Sequence, residues 1–232
     1  MKISIIIPAY NEEKRLASAL DNIISYMAKN YPDYEIIVVD DGSTDNTIKV
    51  AEKKNVRIIK NPKNMGKGYS VKNGMLNAGG DYLLFSDADL STPIEELGNF
   101  LNLIKEHEVI IGSRNLSESN ITATQPFYRR ALGKIFPLLV SIFVLRGIKD
   151  TQCGFKLFKK DAAKKIFTKQ TIAGFGFDVE ILYLARKYGY SVKELPVSWK
   201  NDPHSKVSVI RDSFRMLLDL IRIRINNLRN KY

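Results

Sequence analysis

Residues 3–12 read ISIIIPAYNE, a β-branched run that is ended by proline and followed by polar residues. Similar short apolar runs recur along the first half of the chain, at 35–39, 56–59, 82–85 and 109–111. Buried runs of this kind, separated by segments with helical periodicity, are typical of parallel strands joined by crossover helices. The sequence therefore predicts an α/β fold with a mostly parallel central sheet flanked by helices.

Two helices are predicted between the first runs. Glu12 to Lys29 and Thr44 to Lys54 both have helical spacing of apolar residues. We expect the second helix to be opened by a capping cluster, Ser43-Thr44-Asp45, because short polar side chains accept hydrogen bonds from the first turn of a helix.

Polar clusters follow three of the predicted strands, at 8–12, 40–43 and 86–89. Ligands of open α/β sheets bind at the carboxyl ends of the strands, so these three loops should form one site. Asp87 and Asp89 leave a hydrophobic run with only Ala88 between them. Hard divalent cations such as Mg²⁺ or Mn²⁺ prefer oxygen ligands and are often shared between carboxylates and substrate phosphates. The pair is therefore a candidate metal site.

The net charge of +11 is concentrated in the second half of the chain. Residues 1–115 carry 14 Lys/Arg against 16 Asp/Glu, and residues 116–232 carry 22 against 9. This asymmetry indicates an anionic partner, either a nucleic acid or an anionic membrane surface, although a basic surface that is merely solvated would look the same.

The cysteine count and the apolar runs indicate where in the cell the protein is located. Cys153 is the only cysteine, which favours a reducing compartment, and Pro8 ends the first apolar run too early for a secretory signal. No run approaches the ~20 apolar residues that span a bilayer. We therefore expect a cytoplasmic protein that lies peripherally on the cytoplasmic face of a membrane.

The C-terminal segment is predicted to be a basic amphipathic helix. Arg211, Arg215, Arg222, Arg224 and Arg229 supply a polar side. An apolar series recurs at helical spacing: Ile210, Phe214, Leu217, Leu218, Ile221, Ile225 and Leu228. Such a helix can lie in the headgroup region of a bilayer, or dock on the domain or on another subunit. A second apolar run, at 135–145, fits either a core helix or an element that contacts lipid.

Four ordered motifs resemble those of family 2 glycosyltransferases: IIPAYNE (6–12), VVDDGSTD (38–45), NMGKGYS (64–70) and DAD (87–89). The resemblance implies a GT-A-type nucleotide-sugar-binding domain at 1–205, followed by the C-terminal helix at 206–232. It also implies site residues. These are Pro8, Tyr10, Glu12, Asp40, Asp41, Lys67 and Asp87 for the nucleotide sugar, and Asp87 and Asp89 for Mg²⁺ or Mn²⁺.

The second half resembles a narrower group, the polyprenyl-phosphate glycosyltransferases and especially the dolichyl-phosphate glucose synthases. The matching stretches are DTQCGFKLF (150–158), GFDVEILY (176–183) and ELPVSW (194–199). The resemblance implies a polyprenyl (dolichyl) phosphate acceptor held by Arg114 and Arg130. Where mannose synthases of this group have glutamine, this chain has Ser91, so water or that hydroxyl would complete the metal shell.

The implied reaction is inverting transfer of a sugar, with glucose from UDP-glucose favoured. A phosphate monoester has a second pKa near 6 and is already anionic at neutral pH, so it hardly needs a general base. The catalytic candidates are Asp89, Arg114, Asp178 and Lys206, with Asp178 orienting the donor sugar or a basic loop.

Several rival functions share parts of these patterns. One alternative is a transferase of the same fold that uses UDP-N-acetylglucosamine or GDP-mannose, or acts on a saccharide, although the Gln-x-x-Arg-Trp pattern of processive synthases is absent. A sugar-nucleotide pyrophosphorylase would begin with a Gly-rich, Arg-bearing loop in place of Pro8 to Glu12. A nucleic-acid-binding protein would leave Asp87 and Asp89 unexplained, so no nucleic acid partner is expected.

Overall fold

The structure, a computed structural model, describes residues 1–122, 137, 139–200 and 209–232. The strands are β1 (Ile3–Ala9), β2 (Tyr34–Asp40), β3 (Arg57–Lys60), β4 (Tyr82–Ser86), β5 (Val109–Ser113), β6 (Asn120–Ile121), β7 (Phe155–Lys159), β8 (Val192–Pro196) and β9 (Ser198–Trp199). The helices are α1 (Leu16–Asn30), α2 (Thr47–Glu52), α3 (Lys67–Asn77), α4 (Leu97–Leu103), α5 (Lys160–Lys169), α6 (Phe177–Lys187) and α7 (Val209–Leu228). A 3₁₀ turn at Ile94–Glu96 precedes α4, and residues 139–143 are also helical.

Seven strands form one central sheet in the order β3-β2-β1-β4-β7-β5-β8. Only β7 runs antiparallel to its neighbours in this sheet, and β6 pairs with β9 in a separate two-stranded sheet. Each face of the central sheet is packed by helices. Alternate residues of β1 show this, because Ile5 and Ile7 pack with α1 while Ile6 packs with α3. The predicted α/β class is confirmed.

The two predicted helices begin later than the sequence indicates. α1 begins at Leu16 because residues 12–15 form a turn. α2 begins at Thr47, and the predicted capping role is confirmed for Asp45, whose Oδ1 accepts the Thr47 N–H at 2.9 Å. Ser43 and Thr44 instead hydrogen-bond the loop that follows β1; for example, the Asn11 N–H donates to Ser43 Oγ at 2.9 Å.

The predicted C-terminal helix is present as α7, and it docks on the domain through Leu217 of the predicted apolar series and through residues outside that series. Leu220 and Ile223 are buried in the same core cluster as α3 and α6. The predicted series lies mostly on another side of the helix. Five of its members are 41–80% exposed, and we call them the apolar stripe: Phe214, Leu218, Ile221, Ile225 and Leu228.

The apolar run at 135–145 is in part a core element, and its contact with lipid stays a prediction. Val140 and Val144 are buried in the core, whereas Ile142 and Phe143 are more than half exposed. Its residues 135, 136 and 138 lie outside the described ranges. Across the described ranges, no helix has the length and apolar character needed to cross a bilayer.

Candidate active site

The carboxyl ends of β2, β1 and β4, which are adjacent in the sheet, open into a cavity of about 880 Å³. The loops after these three strands converge there, as the sequence predicts. Seven of the predicted site residues line the cavity: Pro8, Tyr10, Glu12, Asp41, Lys67, Asp87 and Asp89.

A tight turn at the end of β4 places both aspartates in the cavity. The Leu90 N–H donates to the Asp87 carbonyl oxygen at 3.2 Å, and Leu90 has a φ of 47°, in the left-handed region. Burial and the nearby Asp87 carboxylate together raise the pKa of Asp89. Two carboxylates that disfavour each other's charge in this way offer oxygen ligands that a divalent cation would stabilise.

Two fixed cations flank the pair. Lys67 Nζ lies 2.7 Å from Asp87 Oδ1, and a guanidinium nitrogen of Arg15 lies 4.0 Å from Asp89 Oδ2. Burial lowers the pKa of Lys67, but the carboxylates of Asp87 and Asp178 outweigh it, so the pKa is raised and the amine stays charged. Arg15 also donates two hydrogen bonds of 2.7 Å to the Glu12 carboxylate. Sequence reasoning missed Arg15, whose only signal is its position three residues after Glu12.

Asp40 and Asp41 have different surroundings. Asp41 accepts hydrogen bonds of 2.8–2.9 Å from the Asn61 side chain and from the N–H groups of Met65 and Gly66, so it fixes the loop that leads to Lys67. Asp40 Oδ2 accepts two N–H donors from the turn after β2, whereas its Oδ1 is buried and has no hydrogen-bond partner within the described part of the chain.

Residues 150–156, which lie just before and within β7, contact three other residues of the site: Asp87, Arg114 and Asp178. A Cβ at Gly154 would lie 1.9 Å from Asp87 Oδ2, so only glycine leaves room for that carboxylate. Asp150 accepts two hydrogen bonds, of 2.7 and 2.9 Å, from the Arg114 guanidinium. Lys156 is fully buried, and its Nζ lies 2.5 Å from Asp178 Oδ1.

Four predicted site residues lie near the cavity but not among the residues that line it. Asp40 and Asp178 are buried, and Arg114 is paired with Asp150. Ser91 donates its N–H to Asp89 Oδ1 at 2.9 Å, which orients that carboxylate. The roles proposed for them remain predictions. Arg130 and Lys206 lie outside the described residues.

A mostly parallel sheet whose strand ends present paired carboxylates beside fixed cations suits an enzyme that binds an anionic ligand together with a divalent cation. The profile of glycosyl transferase family 2 matches residues 4–167. The chain belongs to this family and is a glycosyltransferase.

Two relatives are similar to this protein over nearly the whole chain. The chain is 39% identical over 244 residues to the dolichyl-phosphate beta-glucosyltransferase of Dictyostelium discoideum, covering 97% of this chain and 75% of that protein. It is 36% identical over 246 residues to the Homo sapiens protein of that name, covering 98% and 76%.

Solved structures share the fold at low identity. Glucosyl-3-phosphoglycerate synthase from Mycobacterium tuberculosis, in complex with Mn²⁺, UDP and glucosyl-3-phosphoglycerate, superposes with a TM-score of 0.73 and 18% identity, covering 97% of this chain and 79% of that one. Mannosyl-3-phosphoglycerate synthase from Rubrobacter xylanophilus gives 0.74 at 18% identity, covering 100% and 75%. The GT-A fold implied by the sequence motifs is confirmed.

Proposed function

We propose that this glycosyltransferase moves glucose from UDP-glucose to dolichyl phosphate with inversion at the anomeric carbon. The observation that carries the proposal is the cavity that joins Asp87 and Asp89 to Lys67, in a chain similar throughout to dolichyl-phosphate beta-glucosyltransferases. An α-linked donor and a β-linked product require inversion at that carbon.

In the proposed step, an oxygen of the acceptor phosphate forms a bond to the anomeric carbon as the bond to the diphosphate oxygen breaks. The electron pair of the broken bond leaves with UDP. Lys67 and Arg15 lie beside the aspartates, where they would stabilise the charge on the departing diphosphate. Asp178 is held by Lys156 away from the cavity lining, which suits an acceptor that needs no general base.

The two aspartates fit a divalent cation because both present carboxylate oxygens, the ligands that hard cations prefer, to the same cavity. Mg²⁺ or Mn²⁺ held there by Asp87 and Asp89 would neutralise charge on the diphosphate. The Mn²⁺ and UDP in the complex of the mycobacterial synthase support this part of the proposal.

We further propose that the protein lies on the cytoplasmic face of a membrane. The apolar stripe on α7 and the basic second half of the chain support this location, since an interfacial helix combines exposed apolar residues with Lys and Arg. Flotation with vesicles tests it: wild type should float with vesicles that contain anionic lipid. Replacing Ile221 and Ile225 with Ser should abolish flotation, and equal flotation of this variant would contradict the proposal.

Transfer is tested with purified protein, dolichyl phosphate, Mg²⁺ or Mn²⁺, and radiolabelled UDP-glucose, UDP-N-acetylglucosamine or GDP-mannose in separate reactions. Label from UDP-glucose should enter the organic phase. Asp89→Ala should lose this activity, because it removes one of the two carboxylates at the cavity that would hold the cation. Asp21→Ala, which removes an exposed carboxylate on α1, is the matched control.

Each other outcome corrects a specific part of the proposal. Label from another donor would replace glucose or UDP in the assignment. If no donor labels the lipid while UDP-glucose still binds, the lipid acceptor is wrong, and soluble saccharides become the acceptors to assay.

A further inference from the structure

One wall of the cavity is formed by α7, far along the chain from the family 2 motifs. Asp212, Arg215, Asp219 and Arg222 line the cavity together with Asp87 and Asp89. Their spacing of three, four and three residues places them along one side of a helix. The C-terminal helix therefore presents a charged row to the same space that the paired aspartates face.

The position of this wall is fixed by packing. Leu220 and Ile223 anchor α7 in the core, and the Asn226 side chain donates to Thr171 Oγ1 at 3.0 Å. A Cβ at Gly176 would lie 2.4 Å from Asp219 Oδ2, so the start of α6 lets α7 approach closely. These contacts hold the row of charges against the cavity.

Arg215 and Arg222 differ from the other cations of the site. Lys67, Arg15 and Arg114 each lie within 4.0 Å of a carboxylate, to which they form an ion pair. Neither Arg215 nor Arg222 forms such a pair with any described carboxylate, although Arg222 offsets part of the rise in the pKa of Asp219 that burial causes. Both side chains are exposed at the cavity, so both keep hydrogen-bonding capacity for a ligand.

The apolar stripe borders the same cavity. Leu218 belongs to the stripe and also lines the cavity, and it lies between Arg215 and Arg222 in sequence. A ligand that reaches both features needs an anionic head for the arginines and an apolar chain for the stripe. A polyprenyl phosphate has this chemistry, whereas a nucleotide sugar has only the anionic part.

We infer that Arg215 and Arg222 of α7 bind the phosphate of the lipid acceptor, with its chain leaving along the apolar stripe. The inference rests on the proposed function and adds two acceptor-binding residues to it. The planar guanidinium groups suit a phosphate because each donates two hydrogen bonds in parallel. The acceptor phosphate would then lie in the cavity that Lys67 and Asp87 also line.

The test uses a short-chain, water-soluble isoprenyl phosphate, so that binding does not depend on membrane attachment. Its equilibrium affinity is measured for wild type, Arg215→Gln, Arg222→Gln and the double variant, in parallel with the affinity for UDP. Arg229→Gln is the matched control, because Arg229 is an exposed arginine just beyond α7 that does not line the cavity. The corresponding isoprenyl alcohol tests whether the phosphate is recognised.

We expect each single variant to weaken binding of the isoprenyl phosphate about tenfold or more, the usual effect of losing a hydrogen bond to a charged group. UDP affinity, alcohol binding and the control should change less than about twofold, within the measurement error of such affinities. Unchanged isoprenyl phosphate affinity in the double variant would overturn the inference. A loss of UDP affinity instead would show that the arginines serve the donor diphosphate, and would also overturn it.

Failure of the proposed function would give a different pattern of binding and transfer results. Wild type would then bind the isoprenyl phosphate through these arginines but transfer no sugar to dolichyl phosphate. Transfer by wild type, with unaltered acceptor affinity in the double variant, would refute only the role of the arginines.

Discussion

Replacing Lys156 with Met removes one partner of a buried ion pair next to the active site. Lys156 is 0% exposed and Asp178 is 2% exposed, and their charged atoms lie 2.5 Å apart. Breaking a buried pair by removing one partner costs about 3–5 kcal/mol because the other charge stays buried. For a chain of this size, 1 kcal/mol lowers Tm by about 2–4 °C, so we expect a fall of about 6–20 °C.

The double variant Lys156→Met/Asp178→Asn separates the lost pair from lost packing. It should be more stable than Lys156→Met in thermal and urea unfolding, because the Asp178 carboxylate that had lost its partner is removed as well. The pH dependence gives a second check. Burial already raises the pKa of Asp178 against the opposing effect of Lys156, and loss of Lys156 raises it further. A carboxyl with a raised folded-state pKa costs stability above that pKa, so the deficit of Lys156→Met should shrink as pH falls. A deficit below 1 kcal/mol, or a double variant no more stable than the single one, would refute this reasoning.

Two further predictions concern Gly154 and Glu108. Gly154→Ala should keep the fold but cut transfer about 100-fold, the usual cost of ~1 Å misplacement, because the new Cβ displaces Asp87 from Lys67. Initial rates check this against Gly98→Ala, where an added Cβ meets only ordinary contacts. Hydrogen bonds from Ser191 lower the pKa of Glu108 to about 2, so its stabilisation should be lost as pH falls from about 4.5 towards 2. Urea unfolding should show Glu108→Gln less stable than wild type at pH 6, with the difference vanishing near pH 2.

Much of the fold follows from the sequence because five strands of the central sheet, β1 to β5, contain short apolar runs rich in β-branched residues. Strand β7 was not predicted, since Lys156 interrupts its apolar pattern. This lysine tolerates full burial because its Nζ donates to Asp178, which lies 22 residues further along the chain, and to the Cys153 carbonyl oxygen. The reversed direction of β7 is a tertiary property that apolar periodicity does not encode.

Site residues were predictable where the functional group of the side chain indicates its role, as for Asp87, Asp89 and Lys67. It was not predictable where the role depends on distant partners. Asp150 positions Arg114 across 36 residues, and Gly154 matters only because Asp87 lies against it. The matched stretch at 150–158 indicated a family resemblance without revealing these contacts.

The reversed strand β7 has a consequence for how this enzyme can change. Because it runs against its neighbours, its beginning lies at the catalytic edge, where residues 150–156 touch Asp87, Arg114 and Asp178. Substitutions at those three positions would therefore be epistatic with one another through a seven-residue segment. Laboratory evolution towards a new donor or acceptor should accumulate compensatory changes there, and libraries that diversify this segment together with its three contacts should outperform libraries that vary each alone.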